Sequence, residues 1–247
     1  MKTQLRFCAL AALALGAGTL AGCATGPTAD PRDPLEPFNR SMTSFNETVD
    51  KAVLKPVATA YTEVLPSPVR TGVNNFFANL GDAWSFVNNV LQLRAEPALN
   101  SLVRFNVNTF FGLGGVLDIA TDMRIERNKQ DFGLTLARWG MPSGPYLVLP
   151  LLGPSTVRDT AALPADWYGD LARQVDPVSD RNMLYALRIV DTRASLLNAG
   201  DVLEGAALDK YSFTRDAYLQ MRARRAQKPG ADAGNADQGR LPPEPEE

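Results

Sequence analysis

The chain contains no histidine, and its two cysteines, Cys8 and Cys23, both lie close to its start. Without histidine there is no imidazole to act as general base, to partner a nucleophilic serine or cysteine, or to bind a transition metal. Two cysteines confined to one end can neither staple a later fold nor build a thiol cluster for zinc, so neither a metal nor a cofactor is expected. No Gly-x-Ser-x-Gly elbow occurs, and no glycine-rich loop ends in Lys-Ser or Lys-Thr. The carboxylates Asp118, Asp122, Glu126 and Asp131 lie among Arg124, Arg127 and Lys129 and read as a solvated, salt-bridged segment. The chain is therefore not expected to be an enzyme.

What is present begins with a processing signal. Lys2 and Arg6 precede the apolar run Phe7 to Leu15, the layout of a signal peptide and too short for a transmembrane helix. The run leads to Leu20-Ala21-Gly22-Cys23, which looks like a bacterial lipobox: residues 1–22 are cut away and Cys23 carries the lipid. Ala24, rather than Asp, follows the cysteine, which resembles the signal for export to the outer membrane. Three acyl chains exceed what stable anchoring needs. Losing Lys2 and Arg6 takes the formal charge from −2 to −4, so nucleic acid is not an expected partner.

Residues 23–37 read as the lipidated cysteine and a proline-rich tether, and residues 228–247, whose one large apolar side chain is Leu241, as a disordered acidic tail. The folded domain is expected over residues 38–227, and its pattern is helical. Phe38, Met42, Phe45, Val49 and Val53 recur at spacings of three and four, and Pro56 suits the first turn of a following helix through Val64. Ser67-Pro68 reads as a cap and first-turn proline, after which Val73, Phe76, Phe77, Leu80, Ala83, Trp84, Val87, Val90 and Leu91 fall on one stripe. Pro97 opens a helix with Leu99, Leu102, Val103, Val107 and Phe110 on one side, ended by Gly112-Leu113-Gly114-Gly115. Met183 to Leu197 and Tyr211 to Gln227 mark two later helices, and strand alternation is confined to Tyr146 to Leu149. An all-α domain is expected.

The helices have an uncommon polar face. From Thr71 to Leu93 the only charge is Asp82, and the polar positions are Asn74, Asn75, Asn79, Ser85, Asn88, Asn89 and Gln92. Surface helices normally carry Lys and Glu there, and asparagine is a mediocre helix former. Two readings stand: the amides bond one another between helices, or the helices sit in a lipid boundary where a full charge costs more than an amide. Phe76, Phe77, Trp84, Phe110 and Phe111 likewise fit an interhelical core or a membrane belt. Trp139 to Val157 adds 19 residues without charge, yet Pro142, Pro145, Pro150 and Pro154 exclude a spanning helix. It reads as an apolar loop at a membrane and backed by protein, or as a core loop.

Asp33-Pro34-Leu35-Glu36-Pro37-Phe38-Asn39-Arg40, Lys55-Pro56-Val57-Ala58, Asn74 to Leu80, Gly112 to Gly115, Gly144-Pro145-Tyr146 with Leu149-Pro150, Arg158-Asp159 and Asp191 to Leu197 carry a family likeness. From the lipobox to about Arg222 the chain resembles the MlaA (VacJ) outer-membrane lipoproteins. The resemblance implies a ring-shaped, single-domain all-α protein, lipid-anchored at the periplasmic face of the outer membrane. An amphipathic channel through the ring passes phospholipid that has strayed into the outer leaflet. It also implies two partners, a trimeric porin and a periplasmic phospholipid carrier. The family's glycine-rich gate loop maps to residues 140–146, with Gly140, Pro142, Gly144 and Pro145 as its marked positions. Pro142 and Ser143 depart from the glycine-rich pattern and imply a stiffer loop. Asn74, Asn75, Asn79, Asn88 and Asn89 are the channel or interface candidates. The alternative is a structural lipoprotein that braces a porin or the envelope without moving lipid.

Overall fold

The computed structural model describes residues 30–200 and 209–227. The signal peptide, Cys23, the first part of the tether and the tail 228–247 lie outside the described residues.

Helix α1 (Glu36–Val49) runs through one π turn (Asp50–Leu54) into α2 (Lys55–Val64). Pro56 stands in the first turn of α2, and a proline that cannot donate to the preceding turn loosens the ladder into wider π spacing there. Helix α3 (Ser67–Leu91) and α4 (Ala95–Phe110) form a hairpin joined by Gln92 to Arg94. Ser67 is not the expected cap: it lies inside the first turn without a capping hydrogen bond, and Pro66 holds the cap position.

Three short-range caps start the next helices. Asp118 accepts from Thr121 N at α5 (Ile119–Asp122), Asp131 from Leu134 N at α6 (Phe132–Arg138), and Thr156 from Asp159 N at α7 (Val157–Gly169). A 3₁₀ turn (Leu171–Gln174), α8 (Val178–Ser195) and α9 (Lys210–Ala226) complete the described chain.

The uncharged run from Trp139 to Val157 contains the expected strand, β1 (Tyr146–Leu149), paired antiparallel with β2 (Gly153–Thr156). Tyr146 and Val148 are buried, whereas Leu151 and Leu152 at the turn are exposed, so the segment is neither wholly core nor wholly surface. The outer edge of β1 is closed by side chains of α1. Asn39 donates to Tyr146 O and accepts from Val148 N, and two turns on Asn46 donates to Leu149 O and accepts from Leu151 N.

The elements close a circuit. α1 packs on β1, β2 on α7, α7 on α6, α6 on α3, α3 on α8, and α8 on α2, which returns to α1 through the π turn. Helix α9 braces α6 and β2. The apolar cluster at this brace is small: Tyr146, Val148 and Tyr211, with Met42, Tyr218 and Leu219 against it.

The tether ends earlier than residue 37. Asp33 is fully buried, accepts from Asn39 and Tyr211, and faces Arg215, so residues 30–37 are packed onto α9 by ion pairs and are part of the fold. Two arginines of α9 point inward: Arg215 holds Asp30 and Asp33 of this segment, and Arg222 binds Asp131 and Asp159.

Candidate functional site

The hairpin α3–α4 is built inside out. On α3 the buried positions are Gly72, Phe77, Asn79, Asp82, Ser85, Asn88 and Asn89; on α4 they are Ala98, Ser101, Arg104 and Asn108. The stripe of apolar side chains points the other way: Val87, Val90, Leu91, Leu99, Val103 and Phe110 are exposed, and Phe111 and Leu93 beside them are exposed at 75% and 92%. Across the described residues 19 buried side chains are polar or charged against ten apolar ones, five of them alanine. A fold held together by water-driven burial of apolar area has the opposite balance.

The buried amides bond within the protein, except that Asn79 Oδ1 is left without a hydrogen-bond partner. Asn79 donates to Thr109 Oγ1 (2.9 Å), joining α3 to α4. Asn88 accepts from Thr135 Oγ1 (2.7 Å), and Gln92 donates to the same hydroxyl (3.0 Å), joining α3 to α6. Asn89 donates to Ser85 O, and Ser85 Oγ accepts from Gln130 N. Each such bond contributes about 1 kcal/mol net, and an orphaned partner costs more. The asparagines therefore bond inside the protein, to hydroxyls and backbone groups rather than to one another, and the apolar face is left outward.

Of the five candidates, Asn74 borders a cavity and donates to Asp191 Oδ2 (3.3 Å), and Asn75 donates to Val116 O (3.1 Å). Asn79, Asn88 and Asn89 are buried in the amide layer. Among the aromatics, Phe77 is buried and Phe110 and Phe111 are exposed.

Two charges of the hairpin, Asp82 and Arg104, are buried, and they meet. Arg104, almost fully buried, reaches Asp82 (3.4 Å), Asp118 (2.7 Å) and Ile125 O. Arg127 also binds Asp82 and Asp118. Burial works to raise the Asp118 carboxyl, but hydrogen bonds from Thr121 and Asn108 and the charges of Arg104 and Arg127 outweigh it and hold it below its ordinary value. The network fastens the segment after α4 across the hairpin. The same segment approaches α3 at Gly115, whose positive φ of 97° and a Cβ position 2.6 Å from Asn79 Nδ2 admit no side chain.

The expected gate loop leaves α6 through Gly140 (φ 98°) and returns at Gly144 (φ 66°), where a Cβ would meet Val157 at 3.2 Å. Its flanks are anchored: Met141 N donates to Leu136 O, Arg158 N to Ser143 O, and Val157 N to Pro145 O. Trp139, Met141, Pro142, Gly144 and Pro145 are exposed. Leu93, Leu113 and Leu151, each exposed, hold left-handed backbone at three separate loop tips. For leucine that conformation is strained, and it presents an apolar side chain outward at each tip.

A cavity of about 250 Å³ lies between α3 and α8, lined by Asn74, Phe77, Asp82, Arg127, Lys129, Arg188 and Asp191, among others. Burial, together with the charges of Arg225, Arg188 and Arg127, depresses the Lys129 ammonium below its ordinary value, although Asp131 opposes this. Arg104, Lys129 and Arg188 are absent from the sequence-based candidates. Arg104 had a readable signal: beyond the first turns, it and Asp82 are single opposite charges in two successive charge-poor helices. Lys129 and Arg188 had none, because they lie 59 positions apart on different elements.

Among the described residues no helix is long and apolar enough to cross a membrane, and no group of three or more His, Cys, Asp or Glu is placed to hold a metal ion. The profile of the MlaA lipoprotein family matches residues 31–225. The chain is 38% identical over 218 residues to the intermembrane phospholipid transport system lipoprotein MlaA of Escherichia coli (strain K12), covering 85% of this chain and 86% of that one. It is 34% identical over 237 residues to the Haemophilus influenzae protein of the same name, covering 89% of each. A solved structure described as "Structural basis for maintenance of bacterial outer membrane lipid asymmetry" is similar at a TM-score of 0.66 and 34% identity, covering 79% of this chain and 99% of that one.

Proposed function

The chain belongs to the MlaA lipoprotein family, and on that premise we propose that it withdraws phospholipid misplaced in the outer leaflet and passes it to a periplasmic carrier. It serves intermembrane phospholipid transport and so maintains outer-membrane lipid asymmetry. The observation that carries this reading is the inverted hairpin, with amides and ion pairs inside and Val87, Leu91, Val103, Phe110 and Phe111 outside. Such a surface is costly in water and matched to acyl chains.

In this reading the protein is anchored through Cys23 and lies in the periplasm-facing leaflet of the outer membrane, supported by a trimeric porin. The closed circuit of elements forms a ring, and the head group moves through its polar interior, which hydrocarbon alone forbids. The Gly140 to Tyr146 segment stands at the passage as a gate. Lipid moves without a bond being broken, consistent with a sequence that offers no imidazole base.

The test uses asymmetric liposomes carrying labelled phospholipid in the outer leaflet, with purified protein, porin and carrier. Label appearing on the soluble carrier supports the reading. No transfer with all three components present overturns it and favours a bracing lipoprotein.

A further inference from the structure

The cavity between α3 and α8 gathers Arg127, Lys129 and Arg188 around about 250 Å³. Its two carboxylates are already engaged. Asp82 is shared by Arg104 and Arg127, and Asp191 accepts the Tyr61 hydroxyl at 3.0 Å and the Asn74 amide at 3.3 Å. Arg127 and Arg188 reach outward to Asp118 and Asp170. Lys129 stands differently. Its exposed side chain lines the cavity, and the charges around it are three guanidinium groups, Arg225, Arg188 and Arg127, against the single carboxylate Asp131. Clustered cations around a recess attract an anion and are stabilised by it.

We propose that this cavity is a station for the phosphate of an anionic phospholipid head group, held by Lys129 with Arg188 beside it. Asn74 and Thr192 flank the phosphate with neutral polar groups, and Phe77 and Ala78 supply an apolar wall for the glycerol backbone. The inference rests on the lipid-transport reading and adds a preference to it. Phosphatidylglycerol, with a net negative charge, suits the cluster; phosphatidylethanolamine brings an ammonium that the same cations repel. Inorganic phosphate offers the anion without the glycerol or the chains, so it separates a lipid station from a simple phosphate site.

Binding is measured by calorimetric titration of the purified full-length protein in detergent. The probes are dihexanoyl-phosphatidylglycerol, dihexanoyl-phosphatidylethanolamine and inorganic phosphate. Phosphatidylglycerol is expected to bind about fivefold or more tighter than either of the others, and Lys129→Gln to weaken it about tenfold, the size of one charge-assisted hydrogen bond. Lys129→Arg restores binding, and Arg225→Gln, a second variant at an exposed position, weakens it by about two- to threefold. Equal affinity of wild type and Lys129→Gln overturns the station, and so does the absence of binding to any probe. Tighter binding of inorganic phosphate than of phosphatidylglycerol overturns its assignment to lipid. Vesicle-to-carrier transfer is read in parallel. Lys129-dependent binding without transfer by the wild type keeps the station and removes the transport reading, whereas transfer with no Lys129-dependent binding does the reverse.

Discussion

Asn39 and Tyr146, 107 positions apart, are joined by a hydrogen bond of 3.1 Å from the asparagine amide to the tyrosine carbonyl, while the amide oxygen accepts from Val148 N at 2.8 Å. The side chain thus takes the place of a neighbouring strand on an edge that would otherwise be open. Asn46 repeats the arrangement at Leu149 and Leu151, so one helix face holds the hairpin along its length.

Asn39→Ala therefore leaves a buried N–H and carbonyl of β1 unpaired and is expected to lower stability by about 2–3 kcal/mol. Asn46→Ala, at the more exposed end, costs about 1 kcal/mol. Thermal melting of both variants checks the ranking. An equal loss for the two contradicts the claim that Asn39 carries the buried end.

The buried pair in the hairpin is expected to be asymmetric toward mutation. Arg104→Ala leaves the buried Asp82 with Arg127 as its one remaining cation and costs about 3 kcal/mol, whereas Asp82→Leu combined with Arg104→Met recovers much of that loss. Denaturant titration in detergent measures both. A double variant as unstable as the single one shows that the pair does more than neutralise itself.

The outward apolar face is expected to hold the protein to membrane without its lipid. Cys23→Ser should leave a substantial share in the membrane pellet, and adding Phe110→Asp and Leu113→Asp, both exposed, should release most of it. Complete solubility of Cys23→Ser alone speaks against an embedded face.

Acid is expected to undo the docking of α9 and the N-terminal segment. The hydrogen bond from Arg32 holds the Asp30 carboxyl at about 2, below its ordinary 3.8; Arg40 and Ser212 hold Asp209 well below its own. Asp159 is lowered too: burial would raise it, but Arg222 outweighs burial. Carboxylates depressed in the folded state bind fewer protons there than in the unfolded chain. Their stabilisation is complete above about pH 4 and disappears as pH falls towards 2. The near-ultraviolet signal of Tyr211 and Tyr218 should fade over that interval; a midpoint above pH 5 implicates other groups.

Backbone freedom at the loop gives the last expectation. Pro142→Gly, at an exposed position, relaxes the segment by about 0.4–1 kcal/mol and should raise the basal rate of lipid transfer, while Gly144→Ala, at φ 66° and against Val157, should lower stability. Transfer by Pro142→Gly at or below the wild-type rate removes the gate assignment.

Periodicity at three and four residues was enough to place α3, α4, α8 and α9, because a helix writes its faces into the chain locally. The turn glycines and the strand Tyr146 to Leu149 were legible for the same reason. The tether boundary was not: Asp33 is polar and flanked by prolines, and only Asn39, Tyr211 and Arg215, brought from elsewhere in the chain, make it a buried residue. Nor was the cavity, whose cations come from a loop and from α8.

By itself the sequence determined that α3 and α4 have an apolar and an uncharged polar side, that the missing histidine removes an imidazole mechanism, and that the chain carries the marks of a lipoprotein. Which side of each helix faces inward was decided by the tertiary structure. A period records that two faces differ, not which of them meets the solvent. Here Thr109 and Thr135 offer partners to Asn79 and Asn88, Gln130 to Ser85, and Asp118 to Arg104, so the polar side closes inward and the apolar side is left facing outward.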